Sequence, residues 1–170
     1  LSGSNLYTGS TQINGGTLSI GADVNLGASS ASVSINNQGI LEITNSFSTS
    51  RILTLSGTAM INVDSSKTFT VNSAIKGTGS LVKIGPGELL FGVSNIYTGT
   101  TTVAQGSLVL RSGVVMPVGK ALIVGTTYSS GATFDMSGAG VNQTIGDLSG
   151  SSYGSILLGN SQLIFGTSNS

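Results

Sequence analysis

The side chains of this chain that could do acid–base or metal chemistry are six carboxylates. Asp23, Glu42, Asp64 and Glu88 follow one another at intervals close to one another, and Asp135 and Asp147 stand further on. In a chain that coils with a period of ~20 residues, such spacing stacks side chains in a column. A coiled polysaccharide lyase or hydrolase groups its carboxylates in this way on one face, with Arg or Lys and often Ca2+. The local settings oppose that grouping. Asp23 precedes a Val-Asn-Leu run, Glu42 is mid-strand, Asp64 ends a strand and Glu88 follows a Gly-Pro-Gly turn. A column of unpaired carboxylates would also repel itself. They read as scattered, solvated charges.

The remaining chemistry is excluded more directly. His and Cys are absent, so no serine has an imidazole base, and thiolate nucleophiles, disulfides and Cys or His metal ligands cannot occur. The run Lys76 to Gly87, KGTGSLVKIGPG, is glycine-rich but lacks the G-K-[ST] ending of a phosphate loop and has no helix after it, so it reads as a corner. No GGxGxD stretch suggests a calcium-binding roll. Tyr7 and Tyr97 could stack sugars, but the simpler reading is that each covers a corner in its own repeat. The Thr98 to Thr102 cluster would need to recur on every coil to form an ice-binding array, and Ala121 to Ser137 offers no such ladder. No catalytic residue, metal site or cofactor is expected, and the chain reads as a non-enzyme.

Composition sets the frame. Charged residues are 7% of the 170, six basic against six acidic, with no basic run, which sets nucleic acid aside as a partner. Gly numbers 26, while 38% of residues are hydrophobic and spread evenly, so the chain has the material for a core. No apolar run approaches the ~18 residues of a spanning helix.

The hydrophobic period is 2, not 3.6. Thr17-Leu18-Ser19-Ile20, Ser32-Val33-Ser34-Ile35, Leu53-Thr54-Leu55 and Phe69-Thr70-Val71 all alternate, and Asn14-Gly15-Gly16, Asn37-Gln38-Gly39 and Gly85-Pro86-Gly87 separate such runs. No capped amphipathic helix is visible. The inward-facing set predicted from the alternation is Leu18, Ile20, Val33, Ile35, Leu41, Ile43, Leu53, Leu55, Val63, Phe69, Val71, Leu81, Leu89, Phe91, Leu108, Leu110, Leu122, Val124, Phe134, Met136, Ile145, Leu163 and Phe165.

The strongest signal is internal repetition. Shifting Leu1–Ile20 by 90 positions onto Phe91–Leu110 gives 8 identities in 20, among them Asn5/Asn95, Tyr7/Tyr97, Thr8/Thr98, Gly9/Gly99, Gly16/Gly106 and Leu18/Leu108. A further copy opens at Phe165. The repeat units are about 1–90 and 91–164, with a third begun at 165, all within a single segment 1–170. Short strands between regular corners, with long-range repetition and no Greek-key connections, favour a solenoid over a sandwich or barrel. About eight coils of ~20 residues, stacked ~4.8 Å apart, make a rod on the order of 40 Å long.

The pattern SNxYTGxTxVxxGxL, led by Lys76 to Phe91, KGTGSLVKIGPGELLF, resembles the autotransporter-associated β-strand, or passenger-associated transport, repeat of bacterial type V secretion proteins. Asn45 to Val71 is similar to the segment that precedes such repeats, and Thr144 to Gly166 resembles a related variant. The residues carrying the resemblance are Asn5, Tyr7, Thr8, Gly9, Gly16, Leu18, Gly85, Gly87, Phe91, Asn95, Tyr97, Thr98, Gly99, Gly106 and Leu108. The second unit departs from the pattern. Asn160 and Ser161 replace Pro86 and Gly87, and Arg111 to Thr127 matches poorly, so a widened coil or a loop near Val114 to Gly119 is expected.

The resemblance implies an all-β, right-handed parallel β-helix, exported across the outer membrane of a Gram-negative bacterium to the surface or beyond. Its implied role is a structural stalk that aids secretion and folding of the passenger, with the C-terminal translocator β-barrel of the same polypeptide as partner. The alternative is an adhesin-like or self-association surface on one face, whose host ligand the sequence does not name. Open end coils carrying little charge add end-to-end association or fraying as an expectation.

Overall fold

The computed structural model describes residues 1–126 and 131–166. The alternating runs become short strands, and each pairs in parallel with a strand about one coil away instead of with its neighbour in sequence. Consecutive strands do not fold back on one another as hairpins, because each corner turns the chain onto a different side. The chain therefore winds as a three-sided β-solenoid.

Thr11–Ile13, Val33–Asn36, Leu53–Ser56 and Lys76–Gly77 form the first side. The second side has seven strands, Thr17–Ile20, Ile40–Ile43, Thr58–Val63, Ser80–Ile84, Thr101–Val103, Leu122–Val124 and Leu148–Gly150. The third has six, from Phe47–Thr49 to Gly154–Leu157, and Gln143–Thr144 with Leu163–Ile164 resume the first side near the far end. A 3-10 turn, Asp23–Leu26, takes the place of a third-side strand in the first coil.

The seven-stranded side counts seven coils, where a uniform coil of ~20 residues predicts about eight. The coils are on average longer than that and unequal. Register along this side runs Thr17, Ile40, Met60, Val82, Thr102, Ile123 and Ser149, so the last step is the longest and those from Ile40 to Met60 and from Val82 to Thr102 are the shortest.

The core is one continuous cluster running through the coils. Like residues stack on like, as in Ile13, Ile35 and Leu55, or Phe69, Leu89, Leu108 and Phe134. Phe47 and Phe69 bring ring centroids to 5.1 Å. Each fully buried Leu, Ile, Val or Phe contributes about 1.5–3 kcal/mol over leaving it exposed. All of the predicted inward residues are buried except three. Leu18 and Leu163 are half-buried, and Phe165 is 60% exposed. Phe165 follows the last described strand, and no described residue covers it. The alternation also missed buried Ile13, Ile61, Ile75, Tyr97, Val103, Val114 and Met116.

The expected loop at Val114 to Gly119 is not a protrusion. Val114, Met116 and Pro117 are buried, and this segment forms the wall of the sixth coil. The extra length lies instead between Val124 and Ala132, where four residues fall outside the described set.

The two repeat copies do not occupy the same side. Thr11–Ile13 is on the first side, yet its counterpart Thr101–Val103 is on the second. Likewise Thr17–Ile20 is on the second side and Gly106–Leu110 on the third. Four coils carry Ile13 through Ile35, Leu55 and Gly77 to Tyr97. The sequence repeat carries Ile13 to Val103 instead, which lies beyond Tyr97 by one side of the triangle.

Candidate functional site

The repeat residues cluster as corner-builders and not as a reactive centre. In the second copy Asn95 is buried, accepts the Ile75 amide at 2.8 Å and so ties the fifth coil to the fourth. Tyr97 is buried and its hydroxyl lies 2.5 Å from Thr101 Oγ1. Burial pushes its phenol well above the usual tyrosine range, with the Thr101 hydrogen bond as a smaller opposing effect. In the first copy Asn5 donates to the Asn25 carbonyl at 2.8 Å, and Tyr7 repeats the tyrosine–threonine contact with Thr11 at 2.9 Å while 40% exposed. Tyr97 is thus a core residue with no face for a sugar. Thr8, Gly9, Gly16 and Thr98 lie at the surface, Gly99 is half-buried, and Gly106 turns with φ +67. Leu108 and Phe91 are interior.

The Gly85-Pro86-Gly87 corner needs its glycines. Gly85 has φ +76, and a Cβ at Gly87 would run into the Asp64 carbonyl of the previous coil. Lys83 secures this corner from inside. It occupies an aliphatic inward column, aligned with Leu41, Ile61, Val103 and Val124, and is fully buried. Its ammonium donates to the carbonyls of Ile84 at 2.9 Å, Gly85 at 2.8 Å and Gln105, in the next coil, at 3.1 Å. Burial lowers its pKa to about 8, opposed in part by the Glu88 carboxylate. The run Lys76 to Gly87, expected to be a corner, instead holds the strands Lys76–Gly77 and Ser80–Ile84 with a turn after each, and Lys83 staples the second of those turns.

Arg51 is a second buried staple. Its guanidinium pairs with the Asp23 carboxylate at 2.9 Å and donates to five carbonyls, those of Asp23, Leu26, Gly27, Ala28 and Ala31. It holds the 3-10 turn and the loop after it against the second coil. Gln143 plays the same part further on, accepting the Met116 amide at 2.8 Å and donating to the Val114 carbonyl at 2.9 Å. None of these three was singled out from sequence. The signal was there for Lys83, which shares the phase of Leu81 in its strand.

The carboxylates do not converge. Asp23 serves Arg51, and Glu42 faces outward from the second side and accepts from Asn62 at 3.1 Å. Asp64 ends a second-side strand, and Glu88 opens a third-side strand. Asp135 caps the Ser137 amide at 2.8 Å. Asp147 lies between Gln143–Thr144 and Leu148–Gly150. Among the described residues no group of three or more His, Cys, Asp or Glu could hold a metal ion.

One concavity is mostly apolar. It opens between the fifth and sixth coils, holds about 360 Å3, and is lined by Ile96, Tyr97, Val115, Val118 and Lys120 among others.

The comparisons with known proteins agree with this picture. The passenger-associated transport repeat family matches residues 1–20 and 81–110. The adhesin BmaC autotransporter of Brucella suis biovar 1 (strain 1330) is 36% identical over 113 residues, covering 66% of this chain and 3% of that protein. This chain therefore spans only a small part of that relative's length. No solved structure matches.

Proposed function

From a chain that carries passenger-associated transport repeats, and is a stretch of autotransporter passenger exposed on or released from a Gram-negative surface, we propose a structural role. The segment is a β-helical stalk that supports export and folding of its passenger and holds an effector region away from the cell. The observation that supports this best is the coil-on-coil register. Every coil adds a parallel strand to the one before and extends the same interior columns. A chain emerging outside the membrane thus gains burial and backbone pairing with each coil, and the preceding coil is its template. The full-length protein would carry the C-terminal translocator β-barrel as its partner in the same polypeptide.

The stapled corners fit a stalk. Arg51, Lys83, Asn95 and Gln143 use their buried polar groups to hold carbonyls and amides of neighbouring coils. An adhesive face is the second reading. It is favoured by exposed aliphatic residues at the third-to-first-side corner, Ile96 and Val118 above all, and by the adhesin name of the relative.

Deleting one coil tests the stalk. Met60 and Val82 are ladder partners, so removing residues 61–82 joins Met60 to Lys83 in register. The expected result in the full-length protein is surface display close to wild type, whereas removing 61–71 places strands out of register and blocks display. Equal loss of display from both deletions would refute the reading.

A further inference from the structure

Asn14 and Gly15 form the one asparagine–glycine step in the chain. They make the corner between Thr11–Ile13 on the first side and Thr17–Ile20 on the second, and both are exposed. Glycine has no Cβ to shield the backbone nitrogen that follows the Asn14 side chain. A Cβ built at Gly15 would meet only the Asn37 carbonyl, 3.9 Å away, so the corner opens to water. Among the described residues no backbone hydrogen bond takes up the Gly15 amide. That nitrogen stands next to the Asn14 side-chain amide, and attack on it closes a five-membered ring within the chain, which makes the encounter intramolecular.

The neighbouring coil holds the electrophile by its oxygen. Asn36 donates from Nδ2 to Asn14 Oδ1 at 2.7 Å. Attack at Asn14 Cγ puts negative charge on that oxygen, and a donor already aimed at it stabilises the charge as it forms. The rung is kept in place because the coils are locked on both sides of the corner. Ile13 pairs with Ile35, Thr17 pairs with Ile40, and the Gly16 carbonyl accepts the Ile40 amide at 2.8 Å. The exposed asparagines Asn45, Asn72 and Asn160 are each followed by serine, and Asn37 by glutamine, so a side chain shields the attacking nitrogen at all four.

We propose that Asn14 is a site of self-modification by deamidation, assisted by Asn36. The Gly15 nitrogen gives up its proton to hydroxide and bonds to Asn14 Cγ. The Cγ–Nδ2 bond then breaks, and the nitrogen leaves as ammonia with a proton from water, which completes a succinimide. Water opens either carbonyl of that ring and yields aspartate or isoaspartate. Each reaction consumes a water and releases an ammonia, with no oxidation or reduction. Aspartate keeps the backbone path and still accepts from Asn36. Isoaspartate routes the backbone through the side chain and adds a methylene to a corner whose two ends are fixed in register. The extra length pulls the Gly16 carbonyl from the Ile40 amide and loosens the first coil.

The test is incubation of the folded full-length protein at mildly alkaline pH, followed by peptide mapping with mass spectrometry. Asn14 should convert to the aspartate and isoaspartate forms ahead of Asn45, Asn72 and Asn160. Asn36→Ala should slow the conversion about fivefold, the effect of losing one neutral hydrogen bond to the developing oxyanion. Asn36→Asp keeps the size of the side chain but sets a carboxylate beside that oxygen, and should slow it further. In denaturant the wild type and both variants should react at equal rates, because the rung exists only in the fold. Hydrogen exchange of the Ile40 amide should be faster in the isoaspartate form than in the unmodified protein. The proposal is overturned if folded Asn14 reacts no faster than the asparagine–serine steps, if both Asn36 variants react at the wild-type rate, if their slowing persists in denaturant, or if isoaspartate leaves exchange at Ile40 unchanged.

Discussion

Tyr97 lies one coil beyond Gly77, in the inward column of Ile13, Ile35 and Leu55. The glycine is where the column changes from aliphatic residues to an aromatic ring. Gly77 has φ +111, and a Cβ there would meet the Leu55 carbonyl of the coil before. Gly77→Ala should therefore destabilise by about 2 kcal/mol or more through backbone strain and close approach. Chemical denaturation reads this as a lower midpoint, and an unchanged midpoint would mean that the corner relaxes freely.

The tyrosine pair offers an internal control. Tyr97→Phe removes a buried hydroxyl and leaves Thr101 Oγ1 without this partner, which should cost about 1–3 kcal/mol. Tyr7→Phe removes the matching contact from an exposed ring and should cost about 0.5 kcal/mol or less. Equal costs would show that burial does not separate the copies.

Lys83 makes stability depend on pH. Its folded pKa is near 8, below the 10.5 of the unfolded chain. Between those values the unfolded state holds a proton that the folded state has lost, so stability rises with pH across that window, by at most about 3 kcal/mol. The burial cost of the charge is fully present below pH 8. Tyr97 acts in the opposite sense at higher pH. Its folded pKa is raised, so the stability it contributes is present below about pH 10 and lost above it. Thermal midpoints should climb from pH 8 towards 10 and then fall. Lys83→Met should abolish the climb, and a climb that persists in that variant would rule out the lysine as its source.

Arg51 should be intolerant of its nearest relative. An ammonium has three donors and no planar fork, so Lys cannot satisfy the Asp23 carboxylate and five carbonyls together. Arg51→Ala strands Asp23 and the loop carbonyls and should cost about 3–5 kcal/mol. Limited proteolysis should then cleave first within Ala22–Ala31. Cleavage elsewhere first would show that the loop is held by other contacts.

Much of the coil is legible in the sequence, because alternation and glycine corners are local signals. Leu53-Thr54-Leu55 and Val33-Ser34-Ile35 face as their phase dictates. Three things are not legible, each for a physical reason. The coils differ in length, the step from Ile123 to Ser149 being longer than that from Ile40 to Met60, so the long sequence repeat gives no sign of rotating its second copy by one side. Arg51 and Gln143 read as surface residues by type, and so does Lys83 although its strand phase points inward; only the folded corners supply the carbonyls and amides that make their burial tolerable. Tyr97 and Tyr7 share a motif, yet coil position decides that one is interior and the other exposed.

The stalk reading rests on inward columns that drive coil stacking, and two adjacent residues test it most directly. Leu108 is buried and Val109, next in the same strand, faces outward. The measurement is the amount of passenger displayed on cells by the full-length protein carrying Leu108→Asp or Val109→Asp, read by surface protease digestion. Leu108→Asp should stall export and leave the passenger protease-sensitive, and Val109→Asp should display near wild-type levels. Equal display of the two variants would contradict the claim that interior stacking of these coils drives the passenger's folding outside the cell.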